Sequence, residues 1–185
     1  MHRLFVAIRP PPPIRAFLTA AMGGVRGARW LSDDQIHLTL RFIGEVDRHQ
    51  AEDVDAALGG VHHPAFEVAV SGLGTFERRG RPVVIWAGVG PHEPLKALHK
   101  KIDQAIARVG VEPDRRTYFP HITLARLDRG AGATGGFLGG PIATAPFTVD
   151  AFTLFESRLT PQGPVYSTLE RYRLDDASRR STSDA

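Results

Sequence analysis

The chain has 185 residues, of which 42% are hydrophobic, so it can bury the core of one large domain or of two fused lobes. It contains no Cys, which excludes disulfide bridges, thiol nucleophiles and Cys-ligated zinc. The net charge is only +3, but the cations are 20 Arg against 3 Lys, a choice explained either by a phosphate ligand or by an arginine-rich solvated surface.

The first half of the chain alternates strand patterns with helix patterns. Residues 3–9 (RLFVAIR) are typical of a buried strand, and the four prolines at 10–13 predict the start of a helix. Residues 35–44 (QIHLTLRFIG) alternate polar and apolar side chains, the period of a half-buried strand, and residues 47–58 have a helical pattern. The first apolar run is too short for a signal peptide or a membrane span, so we expect a cytoplasmic protein without membrane contact.

The middle of the chain predicts a hairpin followed by a long helix. Residues 66–72 and 82–89 have strand patterns, and RRGR at 78–81 between them has turn character and dense positive charge. This combination predicts a hairpin with a basic tip. Apolar residues at helical spacing then predict a helix over residues 93–109.

The last third of the chain is richer in strand patterns. Residues 118–127 (YFPHITLARL) alternate, and the glycine-rich residues 130–140 predict a flexible loop. Strand patterns over 147–159 and 165–174 flank a turn that contains Pro and Gly, and the polar residues 175–185 predict a disordered tail. Because the hairpins imply antiparallel pairing, the predicted fold class is α+β.

A tetrapeptide of the form His-apolar-Thr-apolar occurs twice, as HLTL at 37–40 and as HITL at 121–124. In a strand, the His and the Thr share one face, about 7 Å apart, while the two aliphatic side chains enter the core. One copy alone is explained by an amphipathic strand with a solvated face, but two copies favour an internal duplication. The duplication predicts a single bilobal domain over 1–174, with two pseudo-symmetric lobes of antiparallel sheet and helices around a central cleft.

Two histidines and two threonines in one cleft suit the cleavage of a phosphodiester. The reference pKa of an imidazole is about 6.5, so at neutral pH one ring can act as a base and the other as an acid. These roles deprotonate the attacking group and protonate the leaving alkoxide, while threonine hydroxyls donate to the non-bridging phosphate oxygens. The candidate site residues are therefore His37, Thr39, His121 and Thr123.

The paired motifs resemble those of the two-histidine phosphoesterase superfamily, and in particular the bacterial RNA 2′,3′-cyclic phosphodiesterases, historically called 2′-5′ RNA ligases (LigT-like proteins). The similarity covers most of the chain, through RLFVAI, RWLSDDQIHLTLRFIGEV, YFPHITLAR and SRLTPQGPVY. It implies a bilobal α+β fold that uses no metal and no cofactor. The implied substrate is RNA with a 2′,3′-cyclic phosphate end, which is opened to a 2′-phosphomonoester. We expect the protein to be a monomer.

The resemblance also implies a role for each motif residue. His121 activates water as the general base, and His37 protonates the leaving 3′ oxygen as the general acid. Thr39 and Thr123 hold the phosphate.

Two further residues, each five positions after a motif His, are suggested by the same resemblance. Arg126 is expected to bind the phosphate, and Phe42 is expected to contact a terminal base. An odd offset places both residues on the face opposite the histidines, so these roles require each strand to end or bulge before them. For Phe42, a position in the core is an equal alternative. For Arg126, burial of the guanidinium without a partner would cost free energy, and a bound phosphate could supply the partner.

Two other functions use the same residues. In the reverse reaction, an RNA 5′ hydroxyl attacks the cyclic phosphate and makes a 2′-5′ linkage, although abundant water favours hydrolysis over the joining of scarce RNA ends. Alternatively, the protein is a non-catalytic module that binds RNA ends, with affinity that depends on salt. Imidazoles argue against this second function, because guanidinium groups bind phosphate better.

Overall fold

A computed structural model describes residues 1–161 and 163–175. Within these residues, the strands and helices follow one another in the order β1 (His2–Ile8), α1 (Pro12–Ala21), β2 (Ala28–Trp30), β3 (Leu38–Val46), α2 (Arg48–Gly59), β4 (Phe66–Arg78), β5 (Arg81–Gly90), α3 (His92–Ala107), β6 (His121–Leu127), α4 (Gly135–Leu138), β7 (Phe147–Val149), β8 (Ala151–Thr160) and β9 (Gly163–Arg173). A 3-10 turn at Asp33–Gln35 precedes β3. No helix of the described segments is both long enough and apolar enough to cross a membrane.

The strands form one sheet whose order is symmetric about its centre. The order is β7-β4-β5-β6-β3-β1-β8-β9, with β2 paired to β6, and the pairs between these strands are antiparallel. One half is β6-β5-β4-β7 and the other is β3-β1-β8-β9, so each half begins with a motif strand. The halves meet in the single register pair Leu38–Ile122. The predicted α+β class with two pseudo-symmetric lobes is therefore confirmed.

The alternation of side chains along β1 shows where the core lies. Leu4, Val6 and Ile8 belong to the large core, which also contains the apolar faces of α2 and α3. Phe5 and Ala7 point to the opposite face and form a small separate cluster with Phe155 and Tyr166. The helices thus cover one face of the sheet and leave the other face open for a cleft.

The basic hairpin tip is confirmed, although β4 is longer than its pattern predicts. The strands β4 and β5 pair as far as Arg78 and Arg81, so only Arg79 and Gly80 form the turn. Both have positive φ, at 54° and 72°, as a type I′ hairpin turn requires.

Three features differ from the sequence predictions. The short strand β2 was not predicted, because three residues are too few to show a period. The loop predicted at 130–140 contains α4, whose Phe137 packs on Trp30 with ring centroids 5.0 Å apart. Of the predicted tail 175–185, Asp175 is bound through its backbone to His63 and Ala65, and residues 176–185 lie outside the described residues.

Candidate active site

The open face of the sheet contains a cavity of about 450 Å³ where the two lobes meet. It is lined by all six predicted site residues, His37, Thr39, Phe42, His121, Thr123 and Arg126. The aliphatic residues of both motifs point away from it into the core, as predicted, and Leu38 and Ile122 are at most 2% exposed. The fold therefore brings together two motifs that lie 84 residues apart in the chain.

The register between the motif strands fixes how the four polar side chains alternate. The pair Leu38–Ile122 is antiparallel, and continuing its register by one residue in each direction places His37 opposite Thr123 and Thr39 opposite His121. In such a pair, side chains directly opposite are about 5 Å apart at Cβ and diagonal ones about 7–8 Å. Each histidine thus has a threonine beside it and the other histidine on the diagonal, an arrangement that can surround one phosphate.

Each imidazole is oriented by a backbone carbonyl two residues before it. The Nδ1 atom of His37 lies 2.7 Å from the carbonyl oxygen of Gln35, and Nδ1 of His121 lies 2.7 Å from that of Phe119. A carbonyl oxygen only accepts, so Nδ1 carries the proton and donates it in both rings. The Nε2 atom of each ring is therefore the one available for proton transfer in the cavity.

Aromatic rings flank both histidines. The ring of His37 lies 5.0 Å from that of Phe5 and 5.2 Å from that of Tyr166, measured between centroids. The ring of His121 makes an edge contact with Phe76 at 4.8 Å and stacks on Phe119 at 6.0 Å. These rings restrict the imidazoles and exclude water from one side of each.

Burial lowers the pKa of both histidines. Desolvation is the main cause of the fall in the pKa of His37 to about 4, and the charges of His121 and Arg126 lower it further. Desolvation also lowers the pKa of His121 below its usual 6.5. Both rings are therefore neutral at pH 7 unless an anion is bound, which differs from the expected pair of one neutral and one protonated ring without strong tuning.

The positions of Phe42 and Arg126 are explained by two equivalent β-bulges. Ala7 pairs with Thr39 but the preceding Val6 pairs with Arg41, so Leu40 is an extra residue in β3. In β6 the pairing likewise passes over Leu124, between Thr123 and Ala125. Each bulge lies three residues after the motif His and reverses the side-chain parity beyond it. This meets the condition set by the sequence for the two residues to face the cleft.

Phe42 and Arg126 accordingly lie on the same face as the histidines. Phe42 is 52% exposed, so the alternative of a core aromatic is wrong. Arg126 is exposed in the cavity and lies close enough to Tyr166 and His37 for its charge to affect the pKa of both.

The cavity also contains residues that sequence reasoning did not assign to the site. Arg29, Arg116, Tyr166 and Phe76 line it, whereas no Asp or Glu does among the described residues. Tyr166 lies within the SRLTPQGPVY segment, so the resemblance marked its neighbourhood without giving it a role. Arg29 lies in β2, which was not predicted, and its place beside Arg126 depends on a pairing that no local pattern shows.

Acid-base and anion-binding groups are what this cavity offers to a ligand. In the part of the chain that the structure describes, no group of three His, Asp or Glu side chains converges as a metal site requires. Arg29 and Arg126 give the cavity a positive charge, and the two histidines supply ring nitrogen atoms that can accept or donate a proton. A phosphate ester fits both properties.

The chain is similar to known proteins in sequence and in fold. A family model described as the 2′-5′ RNA ligase superfamily matches residues 10–160. A protein of Aeropyrum pernix named RNA 2′,3′-cyclic phosphodiesterase is 32% identical over 155 residues, which cover 80% of this chain and 88% of the relative.

Two solved structures extend the similarity to the whole fold. TT0787 of Thermus thermophilus is 29% identical, with a TM-score of 0.81, and the match covers 95% of this chain and 99% of that one. LigT of E. coli complexed with 3′-AMP is 27% identical, with a TM-score of 0.79 and coverage of 94% and 98%. Since the family model spans both motif strands and the fold is shared over almost the entire length, the chain belongs to the 2′-5′ RNA ligase superfamily.

Proposed function

We propose that this protein is an RNA 2′,3′-cyclic phosphodiesterase, which opens the cyclic phosphate at an RNA end to a 2′-phosphomonoester without a metal ion. The observation that supports this most strongly is the alternation of two histidines and two threonines around one positively charged cavity. The name of the Aeropyrum pernix relative, and the 3′-AMP bound to E. coli LigT, support the same class of substrate.

The reaction is a single displacement at phosphorus. Water attacks the cyclic phosphate while its proton passes to Nε2 of His121. The bond from phosphorus to the 3′ oxygen breaks, and Nε2 of His37 gives its proton to that oxygen. The products are a 2′-phosphomonoester and a free 3′ hydroxyl, and the proton on His121 returns to His37 through solvent. Each proton transfer contributes on the order of 10² to 10⁴ in rate.

The threonines and Arg126 act on the charge that develops at the phosphate. The hydroxyls of Thr39 and Thr123 donate to the non-bridging oxygens, and the Arg126 guanidinium adds a charge-assisted hydrogen bond. Their positions before the reaction make this stabilisation effective, because few dipoles must reorient in the transition state. Phe42, exposed at the opposite wall, stacks on the base of the terminal nucleotide.

The low pKa of His37 sets a condition on its role as the acid. A pKa of about 4 means that few molecules of the free enzyme carry this proton at pH 7. The negative charge of a bound cyclic phosphate favours the imidazolium and raises this pKa. When the substrate binds, His37 therefore takes up the proton that it later gives to the leaving 3′ oxygen.

The catalytic unit is proposed to be the monomer, with residues 1–174 as its single domain in the cytoplasm. Both motif strands and all six predicted site residues come from one copy of the chain. Size-exclusion chromatography with light scattering tests this point. An active species with the mass of a dimer, and none with the mass of 20.2 kDa, would contradict it.

The decisive experiment is product analysis on a short RNA with a 2′,3′-cyclic phosphate end, in excess EDTA. The expected product is the 2′-phosphomonoester, resolved from the 3′-phosphomonoester by gel electrophoresis. If no end is opened in EDTA but activity appears with added Mn²⁺ or Zn²⁺, metal independence is wrong. If RNA is bound but never opened under any condition, the protein is a binding module.

Membership of the 2′-5′ RNA ligase superfamily favours 2′-5′ ligation as a second candidate function. Joining needs a 5′ hydroxyl held in the place of the attacking water, so it requires both RNA ends to be bound together. The same gel resolves a joined product. Joined RNA in excess of opened ends, in a dilute reaction, would reverse the order of the two candidates.

A further inference from the structure

Two arginines lie side by side in the cavity with no acidic partner. Arg29 of β2 and Arg126 of β6 are direct cross-strand partners, and both line the cavity. Like charges directly opposite each other destabilise a strand pair. Neither guanidinium has an ion pair or a side-chain hydrogen bond among the described residues. The fold therefore maintains an unfavourable pair of charges where a ligand can reach both.

Other arginines near the cleft are neutralised by carboxylates. Arg116, which also lines the cavity, lies 2.9 Å from a carboxylate oxygen of Asp114. Arg9 lies 3.2 Å from a carboxylate oxygen of Asp34. The lack of a counter-charge is thus a property of the Arg29–Arg126 pair and not of every arginine around the cavity.

The reacting phosphate does not need both arginines. A cyclic phosphodiester has two non-bridging oxygens and one negative charge. Thr39, Thr123 and Arg126 already provide two hydroxyl donors and a guanidinium fork for these oxygens. Arg29 adds a second full positive charge, whereas the reacting cyclic phosphodiester carries only one negative charge.

Arg29 does not belong to either motif strand, and it reaches the cavity from β2. Along β6, Arg126 follows His121 by five residues, and β2 pairs only with residues 125–127, beyond the bulge. Arg29 and Arg126 therefore enter the cavity from two different strands, so the two guanidinium groups can bind two different phosphates.

We propose that Arg29 binds a second phosphodiester of the RNA strand, the one on the 5′ side of the terminal nucleotide. This inference depends on the proposed function and names its substrate more closely. The enzyme acts on the end of an RNA strand in preference to a free nucleoside 2′,3′-cyclic phosphate, because only the strand has a phosphate for Arg29. The remaining positive charge between Arg29 and Arg126 is compensated when both phosphates are bound.

The test compares two substrates with the same reacting group. One is adenosine 2′,3′-cyclic phosphate, and the other is the dinucleotide that carries one additional internal phosphodiester before the same terminal adenosine. For Arg29→Gln, we expect kcat/KM to fall roughly 10- to 100-fold on the dinucleotide, the effect of a lost charge-assisted hydrogen bond. On the mononucleotide, we expect a fall several times smaller. Arg108→Gln is the matched control, since Arg108 is an exposed arginine at the end of α3, on the other face of the sheet.

A second measurement uses the wild-type protein and so does not depend on a variant that folds. The internal phosphodiester of the dinucleotide is replaced by a neutral methylphosphonate. The kcat/KM on the dinucleotide should then fall about tenfold, to the value for the mononucleotide. With this substrate, Arg29→Gln should lower kcat/KM no more than it does on the mononucleotide.

The outcomes separate this inference from the proposed function. If the wild type opens neither substrate, the proposed function is wrong. If the wild type opens both and Arg29→Gln lowers kcat/KM equally on both, Arg29 acts at the reacting phosphate and the inference is overturned. Equal rates for the phosphodiester and the methylphosphonate dinucleotide would overturn it as well.

Discussion

The two motif strands are alike at the histidines and differ beyond them. In β3 and β6 a His, a Thr two residues later and a bulge one residue further occupy equivalent places. Five residues after the His, however, β3 has Phe42 and β6 has Arg126, and both face the cavity. The shared part supplies two histidines, one for each of the two proton transfers in the proposed reaction. The part that differs supplies an aromatic ring from β3 and a guanidinium group from β6, so the two motif strands offer different chemistry to a ligand.

The residue immediately after each bulge differs as well. Arg41 in β3 is 6% exposed and points into the core, where its Nε lies 2.6 Å from a carboxylate oxygen of Asp103 in α3. The equivalent residue in β6 is Ala125, which is fully buried. The strand β3 is thus attached by a buried ion pair to α3, the helix that connects β5 and β6 of the other half, whereas β6 has an aliphatic side chain at the equivalent place.

The largest effect is expected when the shared part is broken. His37→Ala and His121→Ala should each lower kcat/KM by about 10² to 10⁴, because each removes one proton transfer. The double variant should lose less than the product of the two factors, since the groups act in one step. Steady-state assays on a cyclic-phosphate RNA measure this.

His49→Ala is the control for these variants, because His49 is exposed on α2 and away from the cavity. A variant lacking one motif histidine that keeps nearly full activity would show that the two strands are not equivalent in chemistry.

The next effect concerns the buried Arg41–Asp103 pair. Asp103→Asn removes the carboxylate that accepts a hydrogen bond from the buried Arg41 guanidinium, so the free energy of unfolding should fall by about 3–5 kcal/mol. Urea denaturation measures it. Glu52→Gln, which breaks the exposed Arg48–Glu52 pair on α2, is the matched control and should leave the free energy of unfolding almost unchanged, because solvent screens this pair. A similar loss in both variants would mean that burial does not distinguish the two ion pairs.

A smaller effect is expected at Phe42. Phe42→Ala should weaken binding of the terminal nucleotide by about 1–3 kcal/mol, the contribution of stacking on one base, and raise KM more than it lowers kcat. The same variant should matter less for a substrate with an abasic terminal ribose. If Phe42→Ala weakens binding of the abasic substrate just as much, Phe42 acts on the fold of the cleft and not on a base.

Much of this arrangement could be predicted from the sequence, because the patterns involved are local. The period of two in residues 35–44 and 118–127 predicts which motif side chains share a face, and the repeat predicts two lobes. Arg29 could not be found in this way, since it reaches the cavity only through the pairing of β2 with β6.

The bulges at Leu40 and Leu124 show a different limit of sequence reasoning. A bulge is a property of two strands in register, and neither strand marks it by a glycine or a proline at that residue. Strand parity alone therefore gives the wrong face for Phe42 and Arg126, whereas the resemblance to a family gives the right one.

The smallest effect is a change in one pKa, and it tests the assignment of acid and base. Desolvation first, then the charges of His121 and Arg126, hold the pKa of His37 at about 4. Removing a positive charge favours the imidazolium, so Arg126→Gln should raise this pKa while leaving it below the usual 6.5. NMR titration of the His37 Cε1 proton measures the change, and Arg108→Gln should leave it unaltered.

The same titration with a bound nucleoside 2′-phosphate decides between the two histidines. The acid must hold a proton at the pH of the assay when an anion is present, so the pKa of His37 has to rise from about 4 toward neutrality in the complex. The base must remain neutral, so His121 should titrate below the assay pH. If His121 is instead the ring that becomes protonated beside the anion while His37 stays neutral, the two roles are exchanged. The proton then reaches the 3′ oxygen from β6, and the aromatic burial of His37 serves to keep a base neutral.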